Sequence, residues 1–343
     1  MALTYKTRQF FRRLFRTLLI LVLAALLVLL CWVLWLRRFI VYTADGVHLD
    51  FSLSQEWPLG QTGQTATQAT HPDIFFTQTT APSTPPPTEE DFVPDFEGFY
   101  VTLEELQNER EDVLQRILNL PAGTPVMLDV KSYWGYFFYS SNCGKGSGSF
   151  DMATMDAFFA AVTESGVYTI ARLPAFRDYA FAEANTGCGL KESRGYLWVD
   201  PDRCYWLDPG SDGTHDHLVR IIRELRDLGF DEVAFTDFCF PDTDQVVYTN
   251  DKADTIAKAA LALVMGCATD QFAVSFITNN PQFPLPEGNC RLYLQDVSAV
   301  DVHTILGQMN PETVKRTVFF TITKDTRYET CGVIRPLKMA EFE

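Results

Sequence analysis

THDHLVRIIRELRDLGFDEVAFTDF, residues 214–238, reads as one helix that stops and one strand that starts. Thr214 to Leu228 is amphipathic at helical spacing, Gly229 stands where a left-handed C-cap belongs, and EVAFTDF (232–238) is a short apolar run suited to a buried strand. The same alternation runs outward in both directions. Toward the N-terminus, a strand over 98–101 leads into a capping box, Thr102 to Glu105. PVMLDV (125–130), a helix over 151–165 and VYTIARL (167–173) follow it. Toward the C-terminus come a helix over 251–265 and strands over 272–277, CRLYLQDV (290–297) and TVFFTIT (317–323). Strands alternating with helices predict a parallel sheet, and seven or eight strands within residues 96–343 predict an α/β fold, a (β/α)8 TIM-like barrel incomplete or divergent at its C-terminal end. A doubly wound open sheet is the alternative. No G-x-G-x-x-G follows a strand, and Gly144 to Gly148 (GKGSG) lacks phosphate-loop spacing, so it is read as a flexible loop.

The N-terminal third has a different character. Residues 17–36 (TLLILVLAALLVLLCWVLWL) carry no charge and are long enough to cross a hydrocarbon core of about 30 Å. Lys6, Arg8, Arg12, Arg13 and Arg16 precede them and only Arg37 and Arg38 follow, which predicts a cytoplasmic basic tail over 1–16 and an extracytoplasmic C-terminal domain. Cys31-Trp32-Val33-Leu34-Trp35 stands where a cleavable signal peptide needs small residues, so the span is read as an uncleaved anchor in the lipid bilayer of the cell membrane. A juxtamembrane segment (37–54) and a Thr/Pro/Gln-rich linker (55–95) follow. The linker composition predicts a disordered stalk, because it buries too little apolar surface to offset ordering entropy.

Beyond residue 38 there are 21 Lys/Arg against 44 Asp/Glu, a net charge of −23. That balance excludes nucleic acid as a partner, since phosphate backbones demand a basic footprint. Of eight cysteines, seven lie outside the span, an odd number without a C-x-x-C pair, and the five histidines are scattered. Neither a metal site nor a cofactor is indicated.

A parallel barrel places its chemistry where strands end. Asp129 and Lys131 (MLDVK), Arg172 (IARLP), Asp208 (WLDPG), Asp237 (FTDF) and Asp296 (YLQD) are polar groups at such positions, and Trp134, Trp198 and Trp206 supply flat rings near them. Paired carboxylates beside aromatic faces are what glycosidic-bond cleavage requires. Each residue has a structural reading too. Asp129 and Lys131 fit an internal ion pair, Arg172 a carboxylate clamp, Asp208 a turn before Pro209-Gly210, and Asp178 the cap of a helix beginning at Tyr179.

YTIARLPAFRDYAFAE (168–183), LWVDPDRCYWLDPG (197–210) and LRDLGFDEVAFTDFCFP (225–241) together resemble a bacterial glycoside hydrolase domain family, a barrel family related to the alpha-amylase-like hydrolases. Its wording includes a strand ending in IAR, a Phe-x-Asp soon after, a Trp-x-Asp-Pro turn and GFDE leading to Phe-Pro. The resemblance spans residues 97–245. It implies a glycoside hydrolase acting on a polysaccharide or cell-envelope glycan, with Asp237 as nucleophile or stabiliser and Asp129 or Asp208 as acid. Lys131, Trp134, Arg172, Asp178, Trp198 and Trp206 would then contact substrate. The family strand carries aspartate where Thr236 stands and arginine where Cys239 stands, so Asp237 comes one place late. A one-residue shift in a regular strand turns a side chain to the other face unless a bulge restores it. The alternative is a catalytically degenerate barrel that binds glycan or scaffolds envelope proteins.

Protease added to intact cells is expected to remove the domain beyond Gln55 and spare the N-terminal tail; a protected domain would reverse the orientation.

Overall fold

The computed structural model describes residues 40–43, 46–49, 96–328 and 332–340. The basic tail over 1–16, the apolar span over 17–36, the linker over 55–95 and Cys331 lie outside the described residues. Among those described, no helix is long and apolar enough to cross a membrane. The chain divides into two units, residues 1–80 and 81–343. In the first, β1 (Ile40–Thr43) pairs antiparallel with β2 (Gly46–Leu49), from Ile40 opposite Leu49 to Thr43 opposite Gly46.

The second unit holds a closed barrel of eight parallel strands in the order β10-β3-β4-β5-β6-β7-β8-β9. They are β3 (Glu97–Val101), β4 (Pro125–Asp129), β5 (Tyr168–Pro174), β6 (Glu232–Thr236), β7 (Ala273–Thr278), β8 (Leu292–Leu294), β9 (Thr317–Phe320) and β10 (Gly332–Pro336). Helices connect most of them: α1 (Leu103–Asn108), α2 (Arg110–Leu118), α3 (Met152–Thr163), α4 (Tyr179–Ala184), α5 (Asp212–Asp227), α6 (Lys252–Cys267), α7 (Val302–Gln308) and α8 (Pro311–Val314). The capping box forms as the sequence predicts, with the Glu105 amide donating to Thr102 Oγ1 and the Thr102 amide to Glu105 Oε2.

The expected incomplete C-terminal end is corrected by β10, which lies beyond the last strand expected from the sequence. Val333 opposite Glu97 and Ile334 opposite Phe320 join the last strand to both neighbours, and the open sheet is excluded. Five residues ending in proline give a weak strand signal, because proline normally breaks a ladder. Here Pro336 is the last strand residue, and Arg335, buried, pairs with Glu97.

Strand alternation sorts two cores. Met127, Ile170, Ala234, Ile277, Tyr293, Val318 and Ile334 supply one buried residue from each of seven strands to the barrel interior, with Tyr100 of β3 packed against them. Neighbours such as Val126, Leu128, Val233, Phe235 and Phe276 point outward into the layer beneath the helices. Strands buried on both faces read as continuous apolar runs, hence their legibility.

The N-terminal end of the barrel is plugged by charge. Glu232, fully buried, accepts from the Tyr168 and Tyr293 hydroxyls at 2.9 Å each and from Arg291 Nη1 at 2.5 Å. The Arg291 guanidinium also lies over the Phe96 and Tyr168 rings. Glu232→Ala would leave Arg291 and two phenols without their acceptor, and is expected to cost about 3 kcal/mol or more in urea denaturation. A change within about 0.5 kcal/mol would show that the network carries no stability.

Candidate active site at the C-terminal mouth of the barrel

The opposite end of the interior is also polar. Asp129 and Arg172, directly opposite on β4 and β5, face inward at the strand ends, and Arg172 Nη1 reaches Asp129 Oδ1 at 3.1 Å and Oδ2 at 3.5 Å. Burial pushes the Asp129 carboxyl up, and the Arg172 charge offsets this only in part. Arg172 lines a cavity of about 620 Å³ together with Tyr100, Gln295, Asp296 and the loop after β9.

Two aspartates just past strand ends have left-handed backbones: Asp237 (φ 52°) after β6 and Asp296 (φ 59°) after β8. Among the described residues the one other non-glycine with positive φ is Arg203, in an exposed turn. Aspartate tolerates this region better than most residues, but still at a cost of order 1 kcal/mol. Asp296 lines the 620 Å³ cavity. Asp237 is half-buried, and its Oδ2 accepts from Thr236 Oγ1 at 3.0 Å. Because β6 ends at Thr236 and the next residue turns left-handed, strand alternation no longer dictates the face on which Asp237 lies. The one-residue offset from the family pattern therefore does not by itself turn Asp237 away from the mouth.

A second, larger cleft of about 1070 Å³ opens beside the mouth, between the excursion after β5 and the loops after β6 and β7. Trp198 and Trp206 line it, their indole N–H groups directed to Gln245 Oε1 (3.1 Å) and Asp200 Oδ2 (3.0 Å). Phe238 and Cys239, which follow Asp237 directly, line it too.

The remaining sequence-predicted site residues lie elsewhere. Lys131 does not pair with Asp129. The chain leaves the barrel at Val130, and Lys131 Nζ meets Asp178 Oδ2 at 2.7 Å in a buried ion pair. Asp178, 1% exposed, also caps α4 by accepting from the Phe181 amide at 3.0 Å, and its Oδ2 lies 3.3 Å from His217 Nε2 on α5. Lys131 and Asp178 are thus closed to substrate and hold the loops above them. Asp208 is half-buried and accepts from the Gly210 amide at 2.8 Å, in the turn that precedes α5. Trp134 is half-buried between Tyr133 and Tyr179. Asp296 is the residue that sequence reasoning left without a role, though its place after an apolar strand was the available signal. Among the described residues, no group of three or more His, Cys, Asp or Glu is placed to hold a metal ion.

Residues 98–276 match the family described as "Putative glycosyl hydrolase domain". The chain belongs to that family. The match takes in Asp129, Arg172 and Asp237 and ends before Asp296. No curated protein matches the chain. A hypothetical protein from Ruminiclostridium thermocellum aligns at 20% identity over 52% of this chain and 96% of its own, with a TM-score of 0.45. The alpha-galactosidase of Thermus thermophilus aligns at 12% identity over 70% of this chain and 57% of its own (TM-score 0.47). The GH20 exo beta-N-acetylglucosaminidase of Vibrio harveyi aligns at 8% identity over 71% and 50% (TM-score 0.48). The chain thus spans little more than half the length of these two enzymes.

The buried Lys131–Asp178–His217 cluster gives a pH prediction. Burial pushes the Asp178 carboxyl up, but the Lys131 ammonium and His217 together more than reverse this and hold it below the usual carboxylate range. Burial also pushes His217 down from 6.5, and Asp178 does not fully restore it. Both folded-state values are depressed, so the unfolded chain binds more protons and stability falls with acid. The His217 contribution is expected to be lost below pH 6.5, and that of Asp178 to begin falling only near 3.8. Urea titrations from pH 7.5 to 4.5 should show a declining midpoint that flattens in His217→Asn; an equal decline in both proteins would remove His217 as its source.

Proposed function

We propose that this chain is a membrane-anchored, extracytoplasmic glycoside hydrolase that cleaves a polysaccharide with Asp237 and Asp296 as its carboxylate pair. The observation that carries the proposal is the placing of two aspartates, each in left-handed backbone, at the C-terminal mouth of a closed parallel barrel, the end where such folds build active sites. Membership of a glycosyl hydrolase family supports the reaction class. The uncharged run over 17–36 and the basic residues before it support the anchor and its orientation.

In this mechanism Asp296, on the wall of the mouth cavity, protonates the glycosidic oxygen. Asp237 attacks the anomeric carbon or activates a water for that attack. Arg172 binds Asp129 and lines the same cavity as Asp296, so it orients a sugar hydroxyl beside that carboxylate. Trp198 and Trp206 form the walls along which the rest of the chain enters. Thr236 and Cys239, in place of the family's aspartate and arginine, favour a second reading in which the barrel binds glycan without cleaving it.

Purified full-length protein would be screened for reducing-sugar release from neutral polysaccharides. Asp237→Asn and Asp296→Asn are each expected to lower kcat by about 100-fold or more with an unchanged melting temperature, while Asp208→Asn keeps activity. Full activity in either mutant would remove that residue from the pair. A wild type that binds a glycan yet releases nothing would establish the non-cleaving reading instead.

A further inference from the structure

In the loops that follow β4 and β5, on the same end of the barrel, aromatic rings from three separate segments meet. Tyr133 and Trp134 lie 5.3 Å apart between ring centroids, Trp134 and Tyr179 5.4 Å, and Tyr179 and Tyr205 4.9 Å with nearly parallel planes. All four are half-buried, and Tyr179 and Tyr205, stacked, cover one face of each other. Arg177 lies over the outer end of the row, 4.4 Å from the Tyr133 ring, and also lines the 1070 Å³ cleft. Arg177 is thus common to the row and the cleft.

The framework beneath this row is tied together by backbone hydrogen bonds between its three segments. The Tyr179 amide donates to the Tyr133 carbonyl at 3.1 Å, the Ala180 amide to the Trp134 carbonyl at 3.2 Å, and the Asp178 amide to the Tyr205 carbonyl at 3.2 Å. Below these bonds sits the buried Lys131–Asp178–His217 cluster. Gly135 takes φ +82°, and a Cβ there would come within 2.3 Å of Asp178 Oδ1, so the loop closes on the cluster without space to spare. Desolvating an ammonium and a carboxylate costs several kcal/mol before their attraction offsets it. What the cluster holds in place is a set of half-buried rings, and order imposed in advance lowers the cost of binding.

We propose that Tyr133, Trp134, Tyr179 and Tyr205 form a non-catalytic binding shelf for a neutral polysaccharide, occupied by sugar units several residues from the bond cleaved at the mouth. The flat C–H face of a pyranose ring lies on an aromatic ring while its hydroxyls stay wet, and tyrosine and tryptophan suit a surface with one apolar and one hydrated side. A run of linked rings matches a chain of linked sugars better than it matches a compact ligand. The charge selects a neutral chain: the protein carries −16 overall, and Glu183, accepting from the Tyr179 hydroxyl, stands beside the shelf. An anionic polymer would be repelled. That the ligand is a glycan rests on the reading of the mouth as a hydrolase site, whereas binding and cleavage are separately measurable.

Full-length protein in detergent micelles would be titrated with cellohexaose, maltohexaose and N-acetylchitohexaose, with polygalacturonate as the anionic comparison, following tryptophan fluorescence and calorimetry. At least one neutral hexasaccharide is expected to bind. Trp134→Ala and Tyr205→Ala should each weaken it about tenfold at an unchanged melting temperature. Tyr196→Ala, at a tyrosine 70% exposed and outside the row, should leave affinity unchanged. The shelf is overturned if none of the three hexasaccharides binds, if polygalacturonate binds more tightly than all of them, or if both shelf mutants fold and bind as wild type does. Loss of cleavage with binding retained would count against the mouth alone.

Discussion

Asp178 is a carboxylate with almost no access to water, and the upper face of the barrel is organised around supplying it with donors. Lys131 reaches it from the end of β4, the Phe181 amide from the first turn of α4, and His217 from α5. Removing any one of these leaves charge or a polar atom stranded in low dielectric, which is far more costly than losing a surface pair. Segments distant in sequence are thereby locked to one another at the end of the barrel where ligands are expected. Phe181 stacks flat on the His217 ring at 3.7 Å, so the cluster also has an apolar lid.

The barrel interior shows the same logic at two depths. Its middle is a single apolar layer, while its ends carry Glu232 with Arg291 below and Asp129 with Arg172 above. The lower network is saturated: Glu232 has three donors. The upper one is less so. Arg172 Nε is buried without a hydrogen-bond partner among protein atoms, and Asp129 keeps some exposure. Unequal satisfaction at the two ends of one barrel separates stability from chemistry: the full network holds the sheet, and the partial one faces the cavity with capacity to spare.

Much of this architecture was legible in the sequence, and the failures have local causes. Seven strands were readable because buried parallel strands are unbroken apolar runs, and the Thr102 box and the Asp178 cap were readable because capping is a short-range rule. The eighth strand was not, since GVIRP carries an arginine and a proline and owes its place to Glu97 on the far side of the sequence. At the site, spacing suggested that Asp129 would meet Lys131; the structure instead pairs Asp129 with Arg172 across the ladder and sends Lys131 to Asp178. Sequence gives the polar residues at strand ends but not the path of the chain after each strand. That path decides which of them meet. Asp296 was visible as a strand-end carboxylate but received no role, because a left-handed turn leaves no mark on composition.

The seam between β3 and β10 has a kinetic side. Val333 pairs with Glu97, so the contacts that close the barrel join segments almost as far apart as the domain allows. Contacts between sequence-distant segments require long loops to be ordered before they are rewarded, and topologies rich in them fold slowly. Until β10 docks, β3 and β9 each present a row of unpaired backbone groups, a template for adding strands from other molecules. Any interval in which β10 is not yet docked exposes those two edges, and closure of the seam ends that exposure.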